Sequence, residues 1–109
     1  MHKAITYSAL AATLLFASCS SDSKPENVGD SETMFMAEMS RVYGFKCAIC
    51  HGKNGVSVIK TAPNLTESIM SLEESAAIIK YGKTTMPPQK DVLDAKTIKG
   101  LALYIERFK

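Results

Sequence analysis

Cys47-Ala48-Ile49-Cys50-His51 is the stretch on which the reading of this 109-residue chain turns. Its two cysteines lie three positions apart, and a histidine follows the second at once. Thiols at that spacing can reach the two vinyl groups on one edge of a porphyrin. The adjacent histidine is then brought under the ring, where an imidazole nitrogen can bind iron. C-x-x-C-H therefore reads as a covalent attachment site for haem c, with His51 as an iron ligand. The rest of the chain must then supply a second axial ligand, an apolar wrapping and a suitable compartment.

Length allows one small domain. Such short chains bury little surface and often gain stability from a cofactor or crosslink. The sequence has no Trp and only 7% aromatic residues, so a haem would add a large apolar plate to a sparse core. A formal charge of +2 leaves no footprint for nucleic acid. The three cysteines are an odd number. Two for haem and one for lipid resolves the parity.

The lipid assignment rests on the N-terminus. Met1-His2-Lys3 is a short basic start, followed by a mostly apolar run from Ala4 to Phe16. That run is shorter than the ~20 residues a membrane-spanning helix needs. Its layout is that of a secretory signal peptide over residues 1–18. Phe16-Ala17-Ser18-Cys19 resembles a bacterial lipobox, with Phe16 where leucine is usual. The resemblance implies that Cys19 is acylated and tethers the mature chain to a membrane. The alternative is an ordinary signal peptide with Cys19 incidental. Residues 19–30 are polar, contain Gly and Pro, and read as a flexible linker.

The domain is expected over residues 31–109. Phe35, Met39 and Val42 recur at helical spacing, with Met36 and Tyr43 alongside, which predicts a helix over 32–46 capped by Asp30 or Ser31. Gly52 to Gly55 reads as a loop. Val56 to Ile59 is too brief for a strand, and Thr61 to Leu65 is an extended turn because the residue before Pro63 avoids the helical region. Thr66 is expected to cap a short turn through Met70. Ser71 and Glu74 form a capping box for a helix from Leu72 to Tyr81, with Ile78 and Ile79 inward and Gly82 as its stop. Asp94 caps a last helix from Ala95 to Phe108, whose apolar stripe is Ile98, Leu101, Ala102 and Ile105. Gly100 inside it suggests a close helix contact.

Iron needs a second axial ligand, and methionine opposite histidine raises the potential. Met86 is the best candidate, because Pro87 and Pro88 stiffen its loop. Met34, Met36, Met39 and Met70 are its rivals, and methionine at helical spacing is usually core.

From Ser31 to Lys109 the sequence resembles class I c-type cytochromes of the small bacterial and photosynthetic kind. The likeness is carried by Tyr43-x-x-x-Cys47-Ala-Ile-Cys-His-Gly52, by Ala62-Pro63-Asn64-Leu65, by Ile79-Lys80-Tyr81-Gly82-Lys83-x-x-Met86-Pro87, and by Leu101-x-x-Tyr104-Ile105. It implies an all-α cytochrome c fold, three to four helices around one covalent haem c, with the first and last helices crossing near Tyr43 and Tyr104. It implies thioethers at Cys47 and Cys50 and His51 as proximal ligand. It further implies a Pro63 carbonyl on the other imidazole nitrogen, Leu65 against the haem face and Met86 as distal ligand. The family usually has glycine where this chain has Met39. Either the crossing is then looser, or Gly100 and Ala102 make the room.

The function so implied is single-electron transfer between redox partner proteins, by a carrier rather than an enzyme. The protein would be lipid-anchored and would face the periplasm or the cell exterior. The alternative is a haem enzyme or sensor with an open distal site, for which only Gln89 stands near Met86 as acid–base equipment. A thioredoxin-type pair lacks its βαβ pattern, and zinc lacks a second pair of ligands. The lysines, from Lys46 and Lys53 to Lys99, read as a solvated surface.

Overall fold

The computed structural model describes residues 28–109, and the expectations for the signal peptide and Cys19 lie outside the described residues. Four helices make up the domain: α1 (Val28–Lys46), α2 (Ala48–His51), α3 (Leu72–Tyr81) and α4 (Ala95–Ile105). Short 3-10 turns occupy Leu65–Glu67 and Glu106–Phe108. Among the described residues there is no strand, only an isolated antiparallel bridge between Lys83 and Met86. The class is all-α, as the sequence implied. No helix among the described residues is long and apolar enough to cross a membrane.

Local chemistry explains where the helices begin and end. The Ser71 hydroxyl accepts the Glu74 N–H at 3.2 Å, and the Glu74 carboxylate accepts the Ser71 N–H at 2.8 Å, which completes the expected capping box of α3. Asp94 accepts the Thr97 N–H at 2.7 Å at the start of α4, and this bond holds its carboxyl below the usual range. α4 gives way after Ile105 to a tighter 3-10 turn, so the predicted helix to Phe108 changes type in its last three residues.

Two predicted caps are corrected. α1 is helical from Val28, so Asp30 and Ser31 lie inside its first turn rather than ahead of it. Asp30 there favours the positive helix end, and the Thr33 hydroxyl donates back to the Gly29 carbonyl at 2.8 Å. Thr66 sits within the 3-10 turn of Leu65–Glu67, whose cap position is Asn64. The Asn64 side chain is engaged elsewhere, accepting the Ser57 N–H at 2.7 Å.

The core is the seam where α1 and α3 meet α4. Met39 and Tyr43 from α1, Ile79 from α3, and Ile98, Leu101, Ala102 and Ile105 from α4 are buried. Ile78, expected inward beside Ile79, is only half-buried, since consecutive helical residues point in different directions. Phe35 and Val42 pack against the cluster from its edge.

The α1–α4 contact resolves the Met39 departure. A Cβ on Gly100 would stand 2.5 Å from Phe35 Cζ and 2.6 Å from Met39 Sδ. Gly100 is thus the hollow into which Met39 fits, and the small residue sits on the last helix instead of the first. The crossing is close, not loose. Tyr43 and Tyr104 face each other there at 5.3 Å between ring centroids, and Phe108 closes the cluster at 5.1 Å from Tyr43 and 5.5 Å from Tyr104.

Candidate functional site

The haem-type motif sits where α1 hands over to α2. Cys50 N–H and His51 N–H both reach back to the Cys47 carbonyl, at 3.1 and 2.9 Å. This single turn puts the two sulfurs on one side of the helix, since residues three apart are neighbours on a helix face. Both thiols are free and half-buried. Burial, with Cys50 as a neighbour, pushes the Cys47 thiol up to about 11. In the unmodified chain Cys47 is therefore a neutral thiol at physiological pH.

His51 is buried, and its Nδ1 lies 3.0 Å from the Pro63 carbonyl oxygen. A carbonyl can only accept, so Nδ1 carries a proton, and of the two neutral tautomers the one with its lone pair on Nε2 is the one that fits. An imidazole held in that tautomer presents Nε2 as its metal-ligating atom. The Pro63 contact expected from the sequence is thus present.

The segment between them folds back to make that contact. Val58 N–H donates to the Cys50 carbonyl at 3.0 Å, and Leu65 N–H donates to the Gly55 carbonyl at 2.7 Å. With Ser57 held by Asn64, these bonds fix residues 56–65 as a loop around His51. The same loop region exposes Val56, Val58, Ile59 and, just beyond it, Ile69, which is 99% exposed. Leu65 is half-buried and touches the core cluster.

Met86 is positioned by a separate turn. Lys83 and Met86 exchange both backbone hydrogen bonds, at 3.2 and 2.9 Å. Gly82 enters the turn at φ +75°, where a Cβ would lie 2.5 Å from the Met86 carbonyl oxygen. Glycine is required there. Thr84 inside the turn also has a positive φ of 54°, unusual for a β-branched residue. Past the prolines, Gln89 N–H and Lys90 N–H donate to the Ile79 and Lys80 carbonyls at 3.0 and 3.2 Å, tying the loop to the end of α3. Met86 itself is half-buried and packs on the core cluster.

The rival methionines are distributed differently. Met39 is 1% exposed, its sulfur committed to the Gly100 hollow. Met34 is exposed on the first half of α1, Met36 is half-buried one turn ahead of Ser40, and Met70 is half-buried before the capping box. Gln89 turns its amide to the Pro87 carbonyl at 3.3 Å. Among the described residues no three His, Cys, Asp or Glu side chains gather to hold a metal ion.

Sequence reasoning missed the contributions of Tyr43, Ser57 and Asn64. Tyr43 OH donates to the Gly52 carbonyl at 2.6 Å, immediately after His51. Burial, with Cys47 and Tyr104 nearby, pushes its phenol from 10.0 up to about 12. No short motif signals such contacts, because each joins residues seven or more positions apart that only the bend of the chain brings together.

Two thiols on one helical turn, a buried imidazole fixed through Nδ1 and an apolar loop beside them fit a covalently held haem. A search of curated proteins finds no match. The sequence model of the family described as "Cytochrome C oxidase, cbb3-type, subunit III" matches residues 35–105, from the middle of α1 to the end of α4. The chain belongs to this family of c-type cytochrome domains, in which a covalently bound haem c carries electrons between redox partner proteins.

Proposed function

We propose that this protein is a single-electron carrier with one haem c, attached through Cys47 and Cys50 and ligated axially by His51 and Met86. The observation that carries the reading is the 3.0 Å contact from His51 Nδ1 to the Pro63 carbonyl, directly after the two thiols. Bound haem supplies a one-electron iron couple. Cys47 and Cys50 would hold the haem as thioethers, each S–H adding across a vinyl C=C, so that attachment would need no oxidant. His51 holds its proton at Nδ1 and offers Nε2, and the Pro63 carbonyl increases the basicity of the ring. Met86 offers a neutral thioether, which favours the reduced state and places the potential in an electron-transfer range. Its turn, closed between Gly82 and Gln89, keeps that sulfur from wandering. Leu65 and the exposed apolar residues Val56, Val58 and Ile59 would then have a ring face to cover against water.

We further propose that Cys19 is lipidated, so that the exported domain swings on its linker above an outward-facing membrane surface. The support is the order of residues: a basic start, the apolar run from Ala4 to Phe16, and Ala17-Ser18-Cys19. Transfer between such a carrier and its partners needs only small, short-lived contacts.

An absorption spectrum tests the ligation. The oxidised protein should show the weak far-red band of methionine–haem ligation, and Met86→Ala should lose it with a lower potential. A wild-type spectrum without that band refutes Met86 as ligand. Cys19→Ser should release the protein from membranes, and unchanged membrane association refutes the anchor.

A further inference from the structure

His51 owes its orientation to a carbonyl twelve residues along the chain, and that carbonyl is only as fixed as the loop that carries it. Two aromatic side chains hold the near end of this loop. The Tyr43 hydroxyl, on a side chain 1% exposed, binds the Gly52 carbonyl at 2.6 Å. The Phe108 side chain lies directly against Gly55, where a Cβ would be 2.9 Å from both Cγ and Cδ2. Gly55 in turn accepts the Leu65 N–H at 2.7 Å, two residues past Pro63. The two rings also pack on each other at 5.1 Å. A continuous path of contacts therefore runs from Phe108 and Tyr43 through Gly52, Gly55 and Leu65 to the Pro63 carbonyl.

We propose that Tyr43 and Phe108 are positioning residues for the His51–Pro63 hydrogen bond and so help set the redox potential of the site. Neither side chain is a candidate ligand. Each acts on His51 through the loop it clamps. Tyr43 removes the freedom of the Gly52–Lys53 peptide, one residue past His51. Phe108 blocks the outward movement of Gly55 that would draw Leu65 and Pro63 away. A loosened Pro63 carbonyl leaves the imidazole a weaker donor, which stabilises the oxidised state less. The potential then rises.

The potential arm rests on the His51 ligation proposed above, whereas exchange of the His51 ring N–H reads the hydrogen bond itself. The test compares Tyr43→Phe, Phe108→Ala and Phe108→Leu with Ser71→Ala in the haem-loaded, reduced protein. Ser71→Ala removes the α3 capping box and lowers global stability without touching the clamp. Ring N–H exchange, followed by NMR on histidine-labelled protein, should be roughly five- to tenfold faster in Tyr43→Phe and Phe108→Ala. The potential should move upward in both, and Phe108→Leu, which keeps an apolar contact, should recover part of each change. If Phe108→Ala does not fold, Tyr43→Phe and Phe108→Leu carry the comparison. Either readout at its wild-type value in the clamp variants, or an equal change in Ser71→Ala, overturns the proposal. A wild-type spectrum without histidine ligation would instead strike at the proposed function and leave the exchange comparison standing.

Discussion

Replacing Gly100 by alanine opposes two effects of known size. In an open helix the change is favourable, because glycine in a helix interior costs about 1 kcal/mol relative to alanine. Gly44 in α1 is the internal reference, since a Cβ there meets nothing within 4 Å. Gly44→Ala should therefore stabilise by roughly 0.5–1 kcal/mol. At Gly100 the new methyl would stand 2.5 Å from Phe35 Cζ and 2.6 Å from Met39 Sδ. Phe35 is half-buried and can swing aside, but Met39 is 1% exposed and has nowhere to go. Overpacking of this kind costs about 1–3 kcal/mol, so the propensity gain leaves a net loss of roughly 0–2 kcal/mol. The gap between the two variants should thus be roughly 1–3 kcal/mol, and a difference of 1 kcal/mol moves Tm by about 4–8 °C in a domain of this size. Urea and thermal denaturation of the haem-loaded protein would measure both. A Met39→Ala background sharpens the test: it removes the sulfur, so Gly100→Ala should become neutral or stabilising there. Non-additivity of that sign is what shared packing produces. Gly100→Ala as stabilising as Gly44→Ala, or an equal effect with and without Met39, would refute the interlock.

Other expectations follow from the hydrogen bonds and the phenol. Ser71→Ala should lower stability by about 1 kcal/mol in urea denaturation, because it leaves the Glu74 N–H without its cap. Tyr43 is held neutral in the folded chain up to about 12, against 10.0 when unfolded, so its stabilising contribution is whole below pH 10 and is lost as pH rises toward 12. Denaturation midpoints should show a smaller fall across that window in Tyr43→Phe than in the wild type. Asn64→Ala should loosen the loop beside Pro63 by removing the acceptor of the Ser57 N–H, and protease nicking between residues 56 and 65 should become faster.

Local chemistry made much of the domain legible in sequence. The Ser71–Glu74 box and the Asp94 cap join residues three apart, so the residues that announce the helix are the ones that start it. Cys47-Ala48-Ile49-Cys50-His51 was readable for the same reason. The start of α1 is not legible in this way, because Gly29, Asp30 and Ser31 are exposed and polar or small, and they resemble a cap more than a first turn. Thr66 misled because a threonine ahead of a short segment resembles a cap, while the backbone bend belongs to Asn64. What surrounds His51 was legible only in part. Pro63 could be named by family likeness, but Tyr43 to Gly52, Ser57 to Asn64 and Phe108 to Gly55 meet through bends of the chain that no fixed spacing encodes.

The loop between α3 and α4 has a consequence for sequence length. The last carbonyls of any helix lack partners within the helix. Here Ile79 and Lys80 find theirs in the Gln89 and Lys90 N–H groups, beyond the turn that carries Met86. The stretch from Gly82 to Gln89 is consequently counted from both ends, by the helix stop on one side and by the returning pair of donors on the other. One inserted or deleted residue there would break register with α3 and displace Met86 in the same stroke. Drift in length is cheap in most surface loops. In this one it is forbidden, and the loop behaves as a ruler.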